Sequence, residues 1–168
     1  MSSTESTLVS CQCGQVEMTV KGVPILAAAC YCDDCQAGGH QLEALPKAPP
    51  VLGDDGGTEF LLYRKDRVTV SRGQDLIRHY KLDDKSPTSR SVASCCNTAM
   101  FLDFRKGHWY SMYRARFGEA APPLQLRIQT RFKSSDSTPP EDVPTYDSYP
   151  LRFIGKLMVA RAAMLVSR

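Results

Sequence analysis

Residues 30–35, with the sequence CYCDDC, constrain the fold more than any other part of the chain. They place the thiols of Cys30, Cys32 and Cys35 within six residues. A hydrophobic core has no use for three sulfurs so close together, whereas zinc binds sulfurs at ~2.3 Å, so that neighbouring sulfurs lie roughly 3.8 Å apart. The spacing predicts a short loop whose thiols converge on one metal ion.

The other four cysteines form two distant pairs, Cys11 with Cys13 and Cys95 with Cys96. Cys11 and Cys13 are two residues apart, so they share one face of an extended segment. Gly14 permits a tight turn, and its amide is predicted to donate to a thiolate. We predict that Cys11 and Cys13 join the segment of Cys95 and Cys96 in a closed structural zinc site, with one ligand and one bystander thiol as the simplest account of the second pair. Buried free thiols are the alternative, because cysteine is a common core residue.

Three protein ligands at Cys30, Cys32 and Cys35 would leave the fourth position of a metal open for water or substrate, as in catalytic zinc sites. We therefore predict one structural zinc and one catalytic zinc. A structural role or an empty site stays open for these three cysteines. A disulfide between Cys95 and Cys96 is disfavoured, since it would be strained and would have to form in a reducing cell.

Length and composition favour one globular domain. The chain has 168 residues, with 42% hydrophobic and 23% charged residues. Residues 1–10 lack the basic start and apolar stretch of a signal peptide, and the apolar run 23–31 is too short to cross a bilayer. We expect a cytoplasmic protein with no membrane partner, in which seven cysteines indicate metal binding or reactive thiols. A net charge of +3 is too small to indicate nucleic-acid binding.

Hydrophobic periodicity predicts a mostly β chain with a C-terminal helix. Alternating or apolar segments predict strands at residues 16–20, 25–30, 60–63, 68–70, 76–82, 101–104, 109–113 and 124–129. Residues 1–7 are predicted to be disordered, and residues 8–168 to form a single domain. Residues 36–40, 45–57 and 134–144 are predicted to be loops. From residue 150, helical spacing predicts a helix of three to four turns. Its stripe, formed by Ile154, Leu157, Met158, Arg161 and Leu165, is predicted to pack on the core or to mediate a homodimer.

The motif order resembles the glutathione-dependent formaldehyde-activating enzymes (GFA-like proteins) and the related zinc domain of centromere protein V. The resemblance covers residues 8–102. C-x-C-G matches at residues 11–14 and C-x-C-x-x-C at residues 30–35, followed by Arg90 and a cysteine-rich turn. It implies a complex coiled-β fold of several small, mostly antiparallel sheets. Residues 134–168, a loop and a helix, do not match the usual ending of the family.

The same resemblance implies an activity and its ligands. It implies a structural zinc on Cys11, Cys13 and the late cysteines, and a more labile zinc on the residue 30–35 motif. It also implies a carbon–sulfur lyase that condenses glutathione with formaldehyde to S-hydroxymethylglutathione.

The late motif departs from the family pattern F-C-x-x-C-G. Ala93 stands where the first cysteine is expected, and Asn97 replaces the glycine. Asparagine tolerates a positive φ, but alanine cannot bind a metal. Either Cys95 supplies the fourth ligand through an altered turn, or three cysteines act with another partner, or the site is empty.

For several other side chains, a structural role competes with a role in catalysis or binding. Asp33 and Asp34 are predicted to cap a turn or face solvent rather than act as acid or base. A surface or packing role is favoured over metal binding for the three histidines, His40, His79 and His108. Four basic residues could bind substrate carboxylates or form a solvated strand face: Arg64, Lys65, Arg67 and Arg72.

Three functions are therefore compatible with the sequence. The first is an enzyme in which zinc at Cys30, Cys32 and Cys35 holds a small thiol that adds to an aldehyde. The second is a non-catalytic zinc module that binds a partner. The third is a redox protein in which Cys32 and Cys35 form a reversible disulfide.

Overall fold

The computed structural model describes residues 5–166. These residues form ten strands in two sheets and two α-helices, so the predicted mostly β fold with a C-terminal helix is confirmed. The strands are β1 (Ser6–Ser10), β2 (Glu17–Lys21), β3 (Leu26–Cys30), β4 (Thr58–Arg64), β5 (Val68–Arg72), β6 (Ile77–Tyr80), β7 (Thr88–Ala93), β8 (Thr98–Phe104), β9 (Trp109–Tyr113) and β10 (Leu126–Ile128). The helices are α1 (Asp33–Glu43) and α2 (Leu151–Val166). Neither is long and apolar enough to cross a membrane.

The two sheets differ in size and in strand direction. The small sheet has the antiparallel order β1-β2-β5. The large sheet has the order β10-β3-β4-β9-β8-β7-β6, and all its pairs are antiparallel except β10 with β3. The late strand β10 thus lies beside β3, and its pairing with Cys30 places the chain near residue 128 next to the first thiol of the residue 30–35 motif.

The large sheet is buried on both faces. Side chains of successive residues point to opposite faces of a strand. In β4, Leu61 and Tyr63 belong to a core with the small sheet, whereas Phe60 and Leu62 belong to a core with α1 and α2. Burial on both faces explains why residues 60–63 form a continuous apolar run instead of an alternating one. The helices therefore cover one face of the sheet and the small sheet covers the other.

The helix α1 corrects the sequence interpretation of residues 30–40. Residues 36–40 were predicted to be a flexible loop because they contain Gly38 and Gly39, which weaken helices. In the structure, both glycines are buried and α1 packs tightly through them. A Cβ on Gly38 would overlap Nε of Arg90, and a Cβ on Gly39 would lie 2.5 Å from Cδ2 of Leu52. Close packing therefore overrides the low helix propensity.

The other loop and terminus predictions have mixed outcomes. Residues 45–57 contain no helix or strand, as predicted, and the predicted C-terminal helix is confirmed as α2. Of the segment predicted to be disordered, residues 1–4 lie outside the described residues. Ser6 and Thr7 already belong to β1, because they pair with Lys21 and Val20 of β2. Regular structure therefore starts earlier than the sequence predicts.

The apolar stripe predicted for the last helix is largely exposed. Leu157 is buried, but Ile154, Met158 and Leu165 are 44%, 60% and 64% exposed. Phe153, which lies outside the predicted stripe, makes the other buried contact of α2. Only one side of the first two turns of α2 therefore packs against the large sheet.

Candidate metal centres

Four cysteines from two distant segments meet in one cluster: Cys11, Cys13, Cys95 and Cys96. Their sulfur atoms all lie within 4.8 Å of one another. The Cys11 sulfur is 3.6 Å from that of Cys13 and 3.7 Å from that of Cys95, and the Cys13 and Cys95 sulfurs are 3.3 Å apart. Sulfurs on a tetrahedral zinc ion lie roughly 3.8 Å apart, so the spacing fits a closed four-thiolate site.

Cys95 supplies the thiol that Ala93 lacks. Ala93 is fully buried at the end of β7, where it pairs with Ile77 of β6. The chain then turns between β7 and β8, and Asn97 adopts a φ of 52°, a left-handed conformation that asparagine tolerates. Of the alternatives that the sequence left open, the structure favours the altered turn, because the Cys95 sulfur lies among those of Cys11, Cys13 and Cys96.

Backbone and hydroxyl groups support the four-cysteine cluster. The amide of Val16 donates to the Cys11 sulfur at 3.3 Å. The predicted donation from Gly14 to a thiolate is wrong, because the Gly14 amide donates to the carbonyl of Cys11. The hydroxyl of Thr98 lies 3.0 Å from the Cys96 sulfur and accepts a bond from the amide of Gln12. Thr98 therefore links the two segments that carry the cluster.

These contacts shift the thiol pKa values in opposite directions. Burial raises the pKa of Cys95, and hydrogen bonds with Cys13 and Cys11 raise it further. Burial also acts to raise the pKa of Cys96, but hydrogen bonds from Thr98 and the amide of Cys13 lower it to about 6. In the metal-free cluster, the negative charge therefore concentrates on Cys96.

The second cluster contains Cys30, Cys32 and Cys35, whose sulfur atoms lie within 4.8 Å of one another. Cys30 is the last residue of β3, and Cys32 is the N-cap of α1. Cys35 lies in the first turn of α1, so its sulfur returns toward the end of the strand. The predicted convergence of three thiols is confirmed, but it is built by a strand-to-helix junction and not by an isolated loop.

Hydrogen bonds of Tyr31 stabilise this strand-to-helix junction. It is fully buried, and its hydroxyl donates to Oδ2 of Asp55 at 2.5 Å. The guanidinium of Arg127 donates to the same hydroxyl at 2.8 Å and pairs with Asp55 and Asp142. The side chain of Gln36 donates to the Tyr31 carbonyl at 2.5 Å. Because Tyr31 stands between Cys30 and Cys32, this network fixes the backbone that carries both thiols.

One of the three thiols has a pKa well below that of an ordinary cysteine. Hydrogen bonds from Cys30 and Cys35 lower the pKa of Cys32 to about 3, with further contributions from the amides of Cys35 and Asp34 at the helix N-terminus. The hydrogen bond to Cys32 raises the pKa of Cys30 to about 12, and the pKa of Cys35 is also raised, first by its hydrogen bond to Cys30. The metal-free cluster therefore carries one thiolate that two neutral thiols stabilise.

The donor sets of the two clusters differ in what they offer a metal. Four thiolates complete a tetrahedral zinc site and leave no position for a substrate. Three thiolates leave one position free, and no further His, Cys, Asp or Glu ligand joins Cys30, Cys32 and Cys35 anywhere in residues 5–166. Thiolates at these distances select a soft or borderline cation such as zinc. The two clusters thus differ in coordination: one offers four thiolates and no free position, and the other offers three thiolates and one free position.

The three-cysteine cluster lines a cavity of about 420 Å³. The cavity lies between the large sheet and α2, and its wall also includes Arg90, Trp109 and Tyr149. Tyr149 lies at the cavity just before α2 and is 48% exposed. A small molecule that enters this cavity can therefore reach the three thiols.

An arginine with a buried, unpartnered side-chain nitrogen accompanies each cluster. Arg90 on β7 is 2% exposed and donates to the carbonyl of Asp34, beside Cys35, while its second terminal nitrogen has no hydrogen-bond partner. Arg116 is attracted to Cys96 and Cys11, and its Nε likewise has no partner. Thiolate clusters that hold a divalent cation carry net negative charge. Each arginine is therefore placed to balance the charge of its cluster.

We expect Gly38→Ala to destabilise the protein by about 2 kcal/mol, because the added methyl group would overlap the guanidinium of buried Arg90. Gly155→Ala in α2 is the matched control, since no atom lies within 4 Å of the place that its methyl group would take. It should stabilise by roughly 0.5–1 kcal/mol through helix propensity. Urea denaturation of both variants measures the difference, and equal effects would contradict the close packing of α1 on Arg90.

Other candidate residues lie outside the two clusters. Asp33 and Asp34 are exposed in the first turn of α1, where acidic groups favour the helix dipole. His40 is exposed in the last turn of α1, and the His79 ring contacts the Ser91 hydroxyl. His108 is buried, and burial lowers its pKa. None of these histidines joins a metal cluster in residues 5–166.

The four basic residues considered as carboxylate ligands do not line the cavity. Arg64 pairs with Asp66, Lys65 with Asp103, and Arg72 with Glu17. Sequence reasoning did not assign a role to Arg90, although it noted this residue ahead of the late cysteines. The only signal in the sequence was a charged residue between the polar and the apolar part of β7. This pattern does not reveal that the Arg90 side chain is buried.

Comparisons with known proteins give a family but no function. Residues 2–113 match DUF6151, which is described as a family of unknown function. No curated protein matches the chain. A crystal structure of a Rhodobacter sphaeroides protein aligns at 17% sequence identity with a TM-score of 0.49, over 69% of this chain and 92% of that chain. A likeness this distant gives no information about activity.

Proposed function

The chain belongs to DUF6151, a family of unknown function, and from its cysteine clusters we propose that it is a zinc protein of carbon–sulfur bond chemistry. In this proposal Cys11, Cys13, Cys95 and Cys96 hold a structural zinc ion. Cys30, Cys32 and Cys35 hold a second, accessible ion at which a small thiol adds to a small aldehyde.

One observation carries this proposal: three thiols with no fourth protein ligand in residues 5–166 line a cavity large enough for a small molecule. The four-cysteine cluster can already serve as a stabilising metal site. The open three-cysteine site therefore has a role other than stability. The resemblance to the GFA-like family supports the same reaction and suggests glutathione and formaldehyde as the reference substrates.

The bond changes of the proposed reaction balance without an oxidant or a further co-reactant. Cys30, Cys32 and Cys35 would hold a zinc ion, which when bound would supply a lowered pKa to a substrate thiol beside them. The substrate sulfur forms a bond to the carbonyl carbon, the carbonyl π bond breaks, and the oxygen receives the proton that the thiol has lost. The product is a hydroxyalkyl thioether, and the reverse reaction is that of a carbon–sulfur lyase.

The side chains of this chain supply the remaining parts. Tyr31 and its hydrogen-bonded partners hold the backbone at Cys30 and Cys32. Arg90 balances the negative charge of three thiolates around a divalent cation. The apolar wall of the cavity excludes water from the reacting sulfur, which strengthens the electrostatic interactions at the site.

We expect about two zinc ions per gently purified chain, of which one is removed quickly by a chelator. Cys35→Ser should retain only the slowly removed ion and lose thiol-dependent consumption of formaldehyde, because two thiols no longer define the open site. Elemental analysis and an aldehyde assay with glutathione and simpler thiols measure both effects.

His40→Ala is the matched control, since His40 is on the same helix but exposed and outside the cluster. It should keep both ions and full aldehyde consumption. Retention of two zinc ions with no turnover for any thiol would overturn the enzyme proposal in favour of a zinc-stabilised binding module. A reversible disulfide at Cys32 and Cys35 with little metal would favour the redox function.

A further inference from the structure

The cavity over the three-cysteine cluster has walls of a distinct chemical character. Most side chains that line it are aromatic or aliphatic, and they come from both helical and strand elements. They are Ala28, Phe60, Leu62, Leu102, Phe104, Trp109, Ile128, Tyr149, Phe153, Ile154 and Leu157. Because α2 contributes the last three, this helix forms one wall of the cavity and the large sheet forms the other.

Few polar groups interrupt this wall. Ser111 is buried, Thr88 lies on β7, and the exposed residues Asp34 and Tyr149 add one carboxylate and one phenol. Arg90 is the only cationic side chain among the lining residues, and it already donates to the carbonyl of Asp34. Polar groups that leave water without gaining partners lose several kcal/mol. A peptide-like thiol, with two carboxylates, an ammonium group and two amide bonds, would leave most of these groups unsatisfied in this cavity.

A volume of about 420 Å³ is within the range of small-ligand sites. It accommodates an aromatic ring or a branched aliphatic group whose sulfur extends toward the three cysteines. We propose that the substrate thiol of this protein carries such an apolar body, which binds between α2 and the large sheet. This inference rests on the proposed function, because it assigns the substrate class of the same open site.

Trp109 provides a direct readout of the cavity. It is the only tryptophan of the chain, and it lines the cavity wall. Its fluorescence therefore reports a bound ligand whether or not a metal ion is present. Three probes separate the contributions: 2-phenylethanethiol, 2-phenylethanol with the same body but no thiol, and glutathione.

We expect 2-phenylethanol to change the Trp109 emission saturably, and 2-phenylethanethiol to bind the zinc-loaded protein at least about tenfold more tightly than glutathione. Ile154→Glu should weaken both phenylethyl probes at least about tenfold, because it puts a charge in the cavity wall. Ile154 is 44% exposed, so the change should leave folding intact.

Met158→Glu is the matched control, since Met158 lies one turn later on α2, is 60% exposed and does not line the cavity. It should leave the binding of all three probes unchanged. Equal effects of the two variants, or tighter binding of glutathione than of 2-phenylethanethiol, would overturn the apolar substrate class.

A second readout distinguishes this inference from the proposed function. In cobalt-loaded protein, visible absorption reports whether a thiol enters the metal coordination sphere. If thiols alter the absorption but phenylethyl compounds leave Trp109 unaffected, the substrate class is wrong while the open metal site stands. If 2-phenylethanol binds at Trp109 and no thiol alters the absorption, the apolar cavity stands while thiol chemistry at the metal is wrong.

Discussion

Cys11→Ser should lower the melting temperature of the zinc-loaded protein by roughly 8–16 °C and remove one of the two metal ions. The four-cysteine cluster joins segments 82 residues apart, as the contact between Cys13 and Cys95 shows. A cross-link that closes a loop of this length is worth about 4 kcal/mol by analogy with a disulfide. For a chain of this size, each kcal/mol corresponds to about 2–4 °C. Calorimetry with metal analysis measures both effects.

Cys35→Ser is the matched control for this prediction. Its cluster spans only residues 30–35, so a metal ion there closes no long loop and adds little to stability through chain entropy. We expect this variant to lose the other metal ion with a change in melting temperature of less than about 4 °C. A fall equal to that of Cys11→Ser would contradict the division into one structural and one accessible site.

The sequence could predict most strands because their hydrophobic patterns are local. The segments 60–63 and 109–113 correspond closely to β4 and β9, since the aromatic and aliphatic residues there fit a pleated, buried surface. The parallel pairing of β10 with β3 had no such signal, because it joins residues almost 100 positions apart through backbone hydrogen bonds. Strand identity is thus local information, whereas strand order is not.

The helix α1 shows where local propensity fails. Gly38 and Gly39 are poor helix residues, yet the helix forms because Arg90 and Leu52 occupy the space that larger side chains would fill. Residues 38 and 90 are far apart in the sequence, so no window of the chain contains both. The same long-range packing creates the cavity and its apolar walls, which the sequence analysis therefore did not predict.

The candidate metal ligands were more predictable than the architecture around them. Spacing alone brings Cys30, Cys32 and Cys35 together, since five residues cannot separate their sulfurs by much when the chain turns. The choice between Cys95, another partner and an empty site depended on the turn at Asn97, whose φ of 52° the sequence permits but does not require. Motif spacing thus predicts ligands within a segment better than ligands across segments.

Arg90→Met should weaken metal binding at Cys30, Cys32 and Cys35 by up to about 100-fold, as expected for loss of a supporting group around a metal site. Three thiolates with a divalent cation carry a net charge of −1, and Arg90 is the buried cation beside them. No carboxylate pairs with Arg90 in residues 5–166. Removing the arginine therefore leaves the loaded cluster with an uncompensated charge. Competition with a chromophoric zinc chelator measures the affinity.

The metal-free protein should respond to Arg90→Met in the opposite direction. The metal-free cluster carries one thiolate that two neutral thiols already stabilise, so it depends on the guanidinium less than three metal-bound thiolates do, and methionine fills a similar space without a charge or an unpaired nitrogen. We expect unchanged or increased stability in urea after zinc is removed. Arg90→Lys is the matched control, because it keeps the charge and loses only the planar donor group, so it should retain most of the metal affinity. If Arg90→Met instead destabilised the metal-free protein and left zinc affinity unchanged, Arg90 would serve only to hold α1 through the Asp34 carbonyl.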